Sequence, residues 1–205
     1  MRRYECLQAL LPLVKEDDLV VTNVGGVRVE WHALRPSDAN YNVYTLGLCS
    51  SVGLGLALSL PHRRVIALDG DGSLLMNLPA LTTIANKNPR NLVHIVFDNQ
   101  RYESSGGGPT HTANNRIDLA KIAEGAGYKN SASVSSIQEF RAAAARAFEG
   151  KELALIVASV ESVIEPVPPC PYDATEVKYK FMRNLEKLEG KTLLTLAPPA
   201  HMDNR

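Results

Sequence analysis

Apolar residues in this chain come in short runs separated by polar, glycine-containing breaks. Tyr4, Leu7, Leu11 and Val14 recur at helical spacing, which predicts an amphipathic helix over residues 3–14. Asp17-Asp18 breaks that pattern, and residues 19–22 predict a short buried strand ending at Asn23 and Gly25-Gly26. Residues 27–45 carry no period and read as irregular and polar, with the single tryptophan, Trp31, among them. Residues 46–61 predict a helix with Gly47, Ser51 and Gly55 along one side, closed by Pro61. Residues 64–68 form a β-rich run that stops at Asp69-Gly70-Asp71-Gly72-Ser73. A helix over 77–88 follows, and then a strand over 92–97 that ends at Asp98-Asn99.

Residues 100–115 are polar and glycine-rich without periodicity, which marks a functional loop. Helices are expected over 117–125 and 136–148, and a strand over 153–160. A proline-rich extended exit (166–171) leads to a charged helix over 176–188, whose charges read as a solvated face, and then to frayed final residues. Strands alternating with helices predict an α/β fold: a mainly parallel sheet with helices on both faces. Residues 1–185 are taken as a single domain and 186–205 as a C-terminal tail. Ligands of such sheets bind beyond the carboxyl ends of the strands, so loops 69–73 and 98–111 should lie side by side.

Composition narrows the classes. In 205 residues, Lys plus Arg and Asp plus Glu are 22 each, so no broad basic field attracts nucleic acid or an anionic membrane. A net charge near zero also suits a subunit with a partner surface. No segment reaches the roughly 18 apolar residues of a membrane span. The N-terminus is a poor signal peptide, since Glu5 precedes any long apolar run. Cys6, Cys49 and Cys170 are far apart and form no metal or disulfide pattern, which points to a soluble protein of the reducing cytoplasm.

The chemistry gathers at Gly70-Asp71-Gly72-Ser73, between an apolar strand and a helix start, where free backbone N–H groups can cradle a phosphate. Asp71 would repel a bare phosphate, and a divalent cation resolves the conflict. Mg²⁺ takes one or two protein oxygens together with phosphate oxygens. A second oxygen ligand should come from a neighbouring strand end. Asn99, 28 positions after Asp71, is separated from it by one helix and one strand.

Gly70-Asp71-Gly72, 26 residues and then Asn99 resembles the cofactor motif of thiamine-diphosphate (ThDP) enzymes. The resemblance implies metal binding by Asp71, Asn99 and the main-chain carbonyl of Arg101, with Tyr102 as the aromatic that follows. The likeness extends over residues 17–180. LGLCSSVGLG from Leu46, VIALDGDGSLLMNLPALTTIA from Val65, and the Ser104–Gly107 and Pro109–His111 stretches resemble phosphonopyruvate decarboxylases and sulfopyruvate decarboxylase β subunits. By that resemblance, Leu46 wedges the cofactor into its bent form, and the Tyr44 carbonyl receives the aminopyrimidine amine. Gly70, Gly72 and Ser73 join the cofactor-binding set.

The implied reaction is decarboxylation of a small 2-oxo acid, releasing CO₂ and an aldehyde, with ThDP as electron sink and Mg²⁺ as its metal. The family's catalytic glutamate sits on a pyrimidine-binding domain, for which no stretch of this chain is left over. A separate pyrimidine-binding α subunit is therefore implied, and self-association is expected. His111 is the one candidate catalytic side chain in this chain. Arg101 and Arg116 are candidates for an acid group, and Cys49 reads as a small buried thiol. Two other classes stay open: the diphosphate-binding subunit of a ThDP-dependent oxidoreductase or carboligating synthase, and a non-catalytic ThDP-binding protein. Gly53-x-Gly55 lacks the third glycine and the preceding strand of a dinucleotide fingerprint.

Overall fold

The computed structural model describes residues 1–193; the expected fraying of the last residues falls outside them. The chain runs α1 (Arg3–Leu10), β1 (Leu19–Thr22), α2 (Gly26–Leu34), β2 (Asn40–Asn42), α3 (Cys49–Ser59), β3 (Val65–Gly70), α4 (Asp71–Met76) and α5 (Ala80–Lys87). It continues β4 (Leu92–Asp98), α6 (Leu119–Ala126), β5 (Asn130–Val134), α7 (Ile137–Glu149), β6 (Ala154–Ser159) and α8 (Ala174–Glu189). The six strands form one all-parallel sheet in the order β2-β1-β3-β4-β6-β5.

Burial on both faces explains the apolar runs, because a parallel sheet covered by helices has no wet side. Alternate residues of the central strands feed two separate cores. Val21, Ala67, Val96 and Val157 face α3, α5, α6 and α8. Val20, Ile66, Ile95 and Ile156 face Leu7 and Leu10 of α1, Trp31 of α2 and Phe140 of α7. Among the described residues no helix is long and apolar enough to cross a membrane.

Several elements differ from the sequence pattern. Helix α1 stops at Leu10 rather than Val14, because Pro12 lacks the N–H that would continue it. Residues 27–45 are not irregular; they hold α2 and the edge strand β2. Their polar residues are buried through pairing: Trp31 Nε1 donates to Asn40 Oδ1 at 3.1 Å, and Thr22 Oγ1 donates to Asn42 Oδ1 at 2.8 Å. Trp31 is accordingly a core residue.

Helix α3 begins at Cys49, three residues late, since Gly47 sits at φ +82°, a left-handed conformation open to glycine. Its close approach to the sheet is at Gly53, where a Cβ would lie 3.2 Å from Ala67 Cβ; Gly55 has open space. The helix expected over 77–88 is α5, begun three residues later at Ala80, and a separate short helix, α4, precedes it and starts at Asp71 itself. Strand β5 has no counterpart in the apolar pattern, being a half-exposed edge of small polar residues. Helix α8 is not merely a solvated charged face, for Val177, Phe181 and Leu185 are buried and Phe181 meets Tyr41 at 5.2 Å.

Candidate functional site

Three neighbouring strands, β1, β3 and β4, end at the same edge of the sheet. Each then delivers polar residues into one narrow cleft: Asn23 after β1, Asp69–Ser73 at the end of β3, and Asn99 with Arg101–Ser104 after β4. Loops 69–73 and 98–111 are in direct contact, as the strand order requires. The expected residues Leu46, Gly70, Asp71, Gly72, Ser73, Asn99, Arg101 and Tyr102 all line this cleft. Tyr44 and His111 do not. Tyr44 is 37% exposed, and its hydroxyl accepts from Arg28 Nη1 at 2.8 Å and donates to the Tyr172 carbonyl at 3.2 Å. His111 is exposed on a short 3₁₀ turn (His111–Asn114).

Asp71 is 2% exposed although it opens a helix. Burial pushes its carboxyl up to about 6; the Thr110 hydrogen bond opposes that shift, and the nearby Asp98 charge adds to it. Two hydroxyls tie the carboxylates together. Thr110 Oγ1 donates to Asp71 Oδ2 at 2.6 Å, Thr112 Oγ1 donates to Asp98 Oδ1 at 2.7 Å, and the two hydroxyl oxygens are 2.8 Å apart. Neither threonine's role was visible in the sequence, although Thr110 lies within the Pro109–His111 stretch singled out there.

Asn99 stands at the start of a tight turn, its Oδ1 accepting from Arg101 N at 3.0 Å. The glycine-rich segment then folds back on itself: Tyr102 N donates to the Gly108 carbonyl, Arg101 Nη1 donates to the Gly107 carbonyl, and Arg101 bridges Pro109. The Tyr102 ring covers Gly72 so closely that a Cβ there would lie 2.6 Å from Tyr102 Cδ1. On the other wall, Ser73 Oγ accepts from Gly47 N at 3.0 Å, which ties the turn beside Leu46 to the first turn of α4.

The third wall contains residues that the sequence did not flag. Gly25-Gly26 opens α2 at the cleft, and Arg3 reaches in from α1. Arg3 is 4% exposed and pairs with the fully buried Glu30, through Nε at 2.7 Å and Nη2 at 3.0 Å. Its Nη1 donates to Glu103 at 3.2 Å. Burial works against the Arg3 charge, but Glu30 and Glu103 outweigh it and hold the guanidinium above its ordinary value. Only the three-dimensional contact identifies this group, since Arg3, Glu30 and Glu103 are spread over a hundred positions.

Beneath the cleft, His94 Nε2 lies 3.4 Å from Asp69 Oδ2, both residues being buried. Cys49 is also buried there, its thiol pushed well above the usual range by burial and then by Asp69, and its Sγ donates to the Leu68 carbonyl at 3.5 Å.

A divalent cation with a diphosphate fits this wall of groups. Asp71 is a buried carboxylate whose ionisation is opposed by its surroundings, so a cation beside it relieves a real cost. Asn23, 6% exposed, leaves Oδ1 without a partner among the described residues. The first N–H groups of α2 and α4 open on the same space. Among the described residues no group of three or more His, Cys, Asp or Glu side chains could hold a metal, so an ion here would rely on Asp71, amide and main-chain oxygens, and ligand oxygens.

Comparison with known proteins points the same way. Residues 27–158 match the family described as thiamine pyrophosphate enzyme, C-terminal TPP binding domain. The chain is 33% identical over 187 residues to sulfopyruvate decarboxylase subunit beta of Methanocaldococcus jannaschii, covering 91% of this chain and 98% of that protein. It is 35% identical to the Methanococcus maripaludis subunit of the same name, over 91% of this chain and 99% of the relative. It is also 37% identical to phosphonopyruvate decarboxylase of Streptomyces viridochromogenes, over 71% of this chain but 36% of the relative. Among solved structures, benzoylformate decarboxylase from Polynucleobacter necessarius superposes with a TM-score of 0.66 at 19% identity, covering 82% of this chain. The matched region is 34% of that solved chain, a likeness of fold. The chain belongs to the family of thiamine pyrophosphate enzymes, as a C-terminal TPP-binding domain.

Proposed function

We propose that this chain is the diphosphate-binding β subunit of a ThDP- and Mg²⁺-dependent decarboxylase acting on a sulfopyruvate- or phosphonopyruvate-type 2-oxo acid. The observation that carries the proposal is the meeting of Asn23, Gly70-Asp71-Gly72-Ser73 and Asn99 at three adjacent strand ends, with Asp71 buried among them. When bound, ThDP supplies the electron sink that allows a 2-oxo acid to lose CO₂. Asp71, the Asn99 side chain and the Arg101 carbonyl would hold Mg²⁺. Main-chain N–H groups at Gly72-Ser73 and Gly25-Gly26 would receive the diphosphate. Leu46 presents its apolar side chain to the same cleft, where it would keep water from the cofactor's inner face. Tyr44 would contribute its carbonyl.

Relatives covered almost end to end carry the name subunit beta. A pyrimidine-binding α subunit would bring the catalytic glutamate, and the assembly would contain even numbers of both chains. Cys6 and Cys49, buried and unpaired, suit a reducing cytoplasm.

The test is calorimetric titration of ThDP with Mg²⁺ into the purified chain, with and without the protein encoded next to its gene. Binding, 2-oxo acid decarboxylation only in the presence of the neighbour, and loss of both in Asp71→Ala are expected. No binding under either condition would refute the cofactor assignment. Full decarboxylation by this chain alone would refute the separate α subunit.

A further inference from the structure

The two carboxylates on Arg3 are held very differently. Glu30 is fully buried inside α2, takes Nε and Nη2 in a two-pronged pair, and also accepts from Glu165 N at 2.9 Å. It is part of the core and fixes the plane of the guanidinium. That leaves Nη1 directed into the cleft, where Glu103 Oε2 meets it.

Glu103 belongs to a three-residue 3₁₀ turn (Glu103–Ser105) that runs into Gly106-Gly107-Gly108. A Cβ at any of those three glycines would touch nothing within 4 Å. The other oxygen of Glu103 accepts from Asn99 Nδ2 at 3.1 Å. The same carboxylate lies against the start of α2, for a Cβ at Gly26 would come within 2.7 Å of Glu103 Oε2 and 2.1 Å of Arg3 Nη2. An internal anion therefore sits where a buried guanidinium, an amide N–H₂ and a helix N-terminus converge. Asn23, nine-tenths buried on the same wall, still has a polar atom without a partner among the described residues. Such a carboxylate on an open turn can leave without disturbing the core, whereas Glu30 cannot.

We propose that Arg3 is an anion-binding residue of this cleft and that Glu103 is an exchangeable placeholder on it, displaced when the diphosphate is bound. The inference rests on the cofactor assignment above and adds to it a residue from α1 and an internal competitor. Arg3 keeps Glu30 throughout, so its fork stays aimed while Nη1 changes partner. Glu103 swings out with its turn, and Asn99 Nδ2 is freed in the same movement.

The experiment is titration of ThDP into the full-length chain at saturating Mg²⁺, comparing wild type with Glu103→Gln and Glu103→Ala, alongside amide hydrogen exchange in residues 102–110 without ligand. Removing a competing charge-assisted contact should tighten binding by about tenfold in both variants. Exchange at Tyr102 and Thr110 should quicken, since the turn loses its anchor. Arg3→Lys retains the charge but not the fork, and should weaken wild-type binding and shrink the gain from Glu103→Gln. Wild-type binding with affinity unchanged or weakened in both Glu103 variants overturns this inference alone. Absence of binding in all variants overturns the cofactor assignment with it. Binding only in the Glu103 variants would support both.

Discussion

The hydroxyl of Thr110 offers the sharpest test of how the cleft tolerates Asp71. Thr110→Val keeps the branched shape and removes one O–H, which now donates to Asp71 Oδ2 at 2.6 Å in a site where Thr110 is 5% exposed. Thr112 Oγ1 is 3.4 Å from that oxygen and already directed at Asp98, so it cannot make good the loss. A hydrogen bond to a charged group contributes about 1.5–3 kcal/mol, a neutral one about 0.5–1.5. Above pH 7 Asp71 is ionised, so the variant should lose about 2 kcal/mol, or about 4–8 °C in Tm for a chain of this size. Below pH 5 the carboxyl, titrating at about 6, is protonated, and the loss should fall to about half. Differential scanning calorimetry of both proteins at pH 7.5 and 5.0 measures the contrast. Equal Tm values at pH 7.5, or a larger loss at pH 5.0, would refute the claim that Thr110 stabilises an ionised Asp71.

Related expectations follow from the same geometry. Asp71→Asn should stabilise the ligand-free chain while abolishing Mg²⁺-dependent binding: the raised carboxyl favours folding below about pH 4 and that benefit is lost as pH rises through about 6, so wild type should fall behind the variant over this window by about 3 kcal/mol in urea titrations. Gly26→Ala places a Cβ 2.1 Å from Arg3 Nη2, a group Glu30 prevents from moving, and should lower stability by about 1–3 kcal/mol in the same assay. At pH 8 iodoacetamide should modify Cys170 rapidly and spare Cys6 and Cys49 until urea is added, because burial pushes the Cys6 thiol up to about 12 and Cys49 well above its usual range; peptide mass spectrometry reads this directly.

The sequence disclosed the parts of the fold whose causes are local. β3 and β4 are apolar runs, β4 interrupted only by the buried His94, because both faces are buried, and the breaks at Asp69-Gly70-Asp71-Gly72 and Asp98-Asn99 mark their carboxyl ends. Eight expected residues consequently fall in one cleft. What escaped has long-range causes. Glu30 and Asn40 look like surface residues until Arg3 and Trp31 are seen against them. β5 is an edge strand of asparagine, serine and alanine with one buried valine, Val134, and its pairing with β6 rather than its hydrophobicity defines it. Thr110 and Thr112 matter through partners 39 and 14 positions away, and no local pattern encodes that. His111 and Tyr44 illustrate the converse: sequence neighbours of cleft residues whose side chains lie outside it.

Charge balance predicts that a diphosphate needs a cation to enter this cleft. The cleft is lined by Arg3 and Arg101 against Asp69, Asp71 and Glu103, with Glu30 directly behind Arg3. Counting those side chains alone, that is two positive groups against four negative ones. Even after Glu103 withdraws, the wall remains negative by one charge, and Arg3 is already paired. A polyphosphate brought to it alone would meet net repulsion in a poorly solvated space, where opposing charges are weakly screened. The N–H groups of α2 and α4 contribute only partial charges and cannot reverse that sign. A divalent ion beside Asp71 would do so. Titration of inorganic pyrophosphate into the chain should therefore give no binding heat in EDTA and a saturable isotherm with Mg²⁺. Comparable binding in EDTA would show that the helix termini and Arg3 suffice, and that Asp71 plays another part.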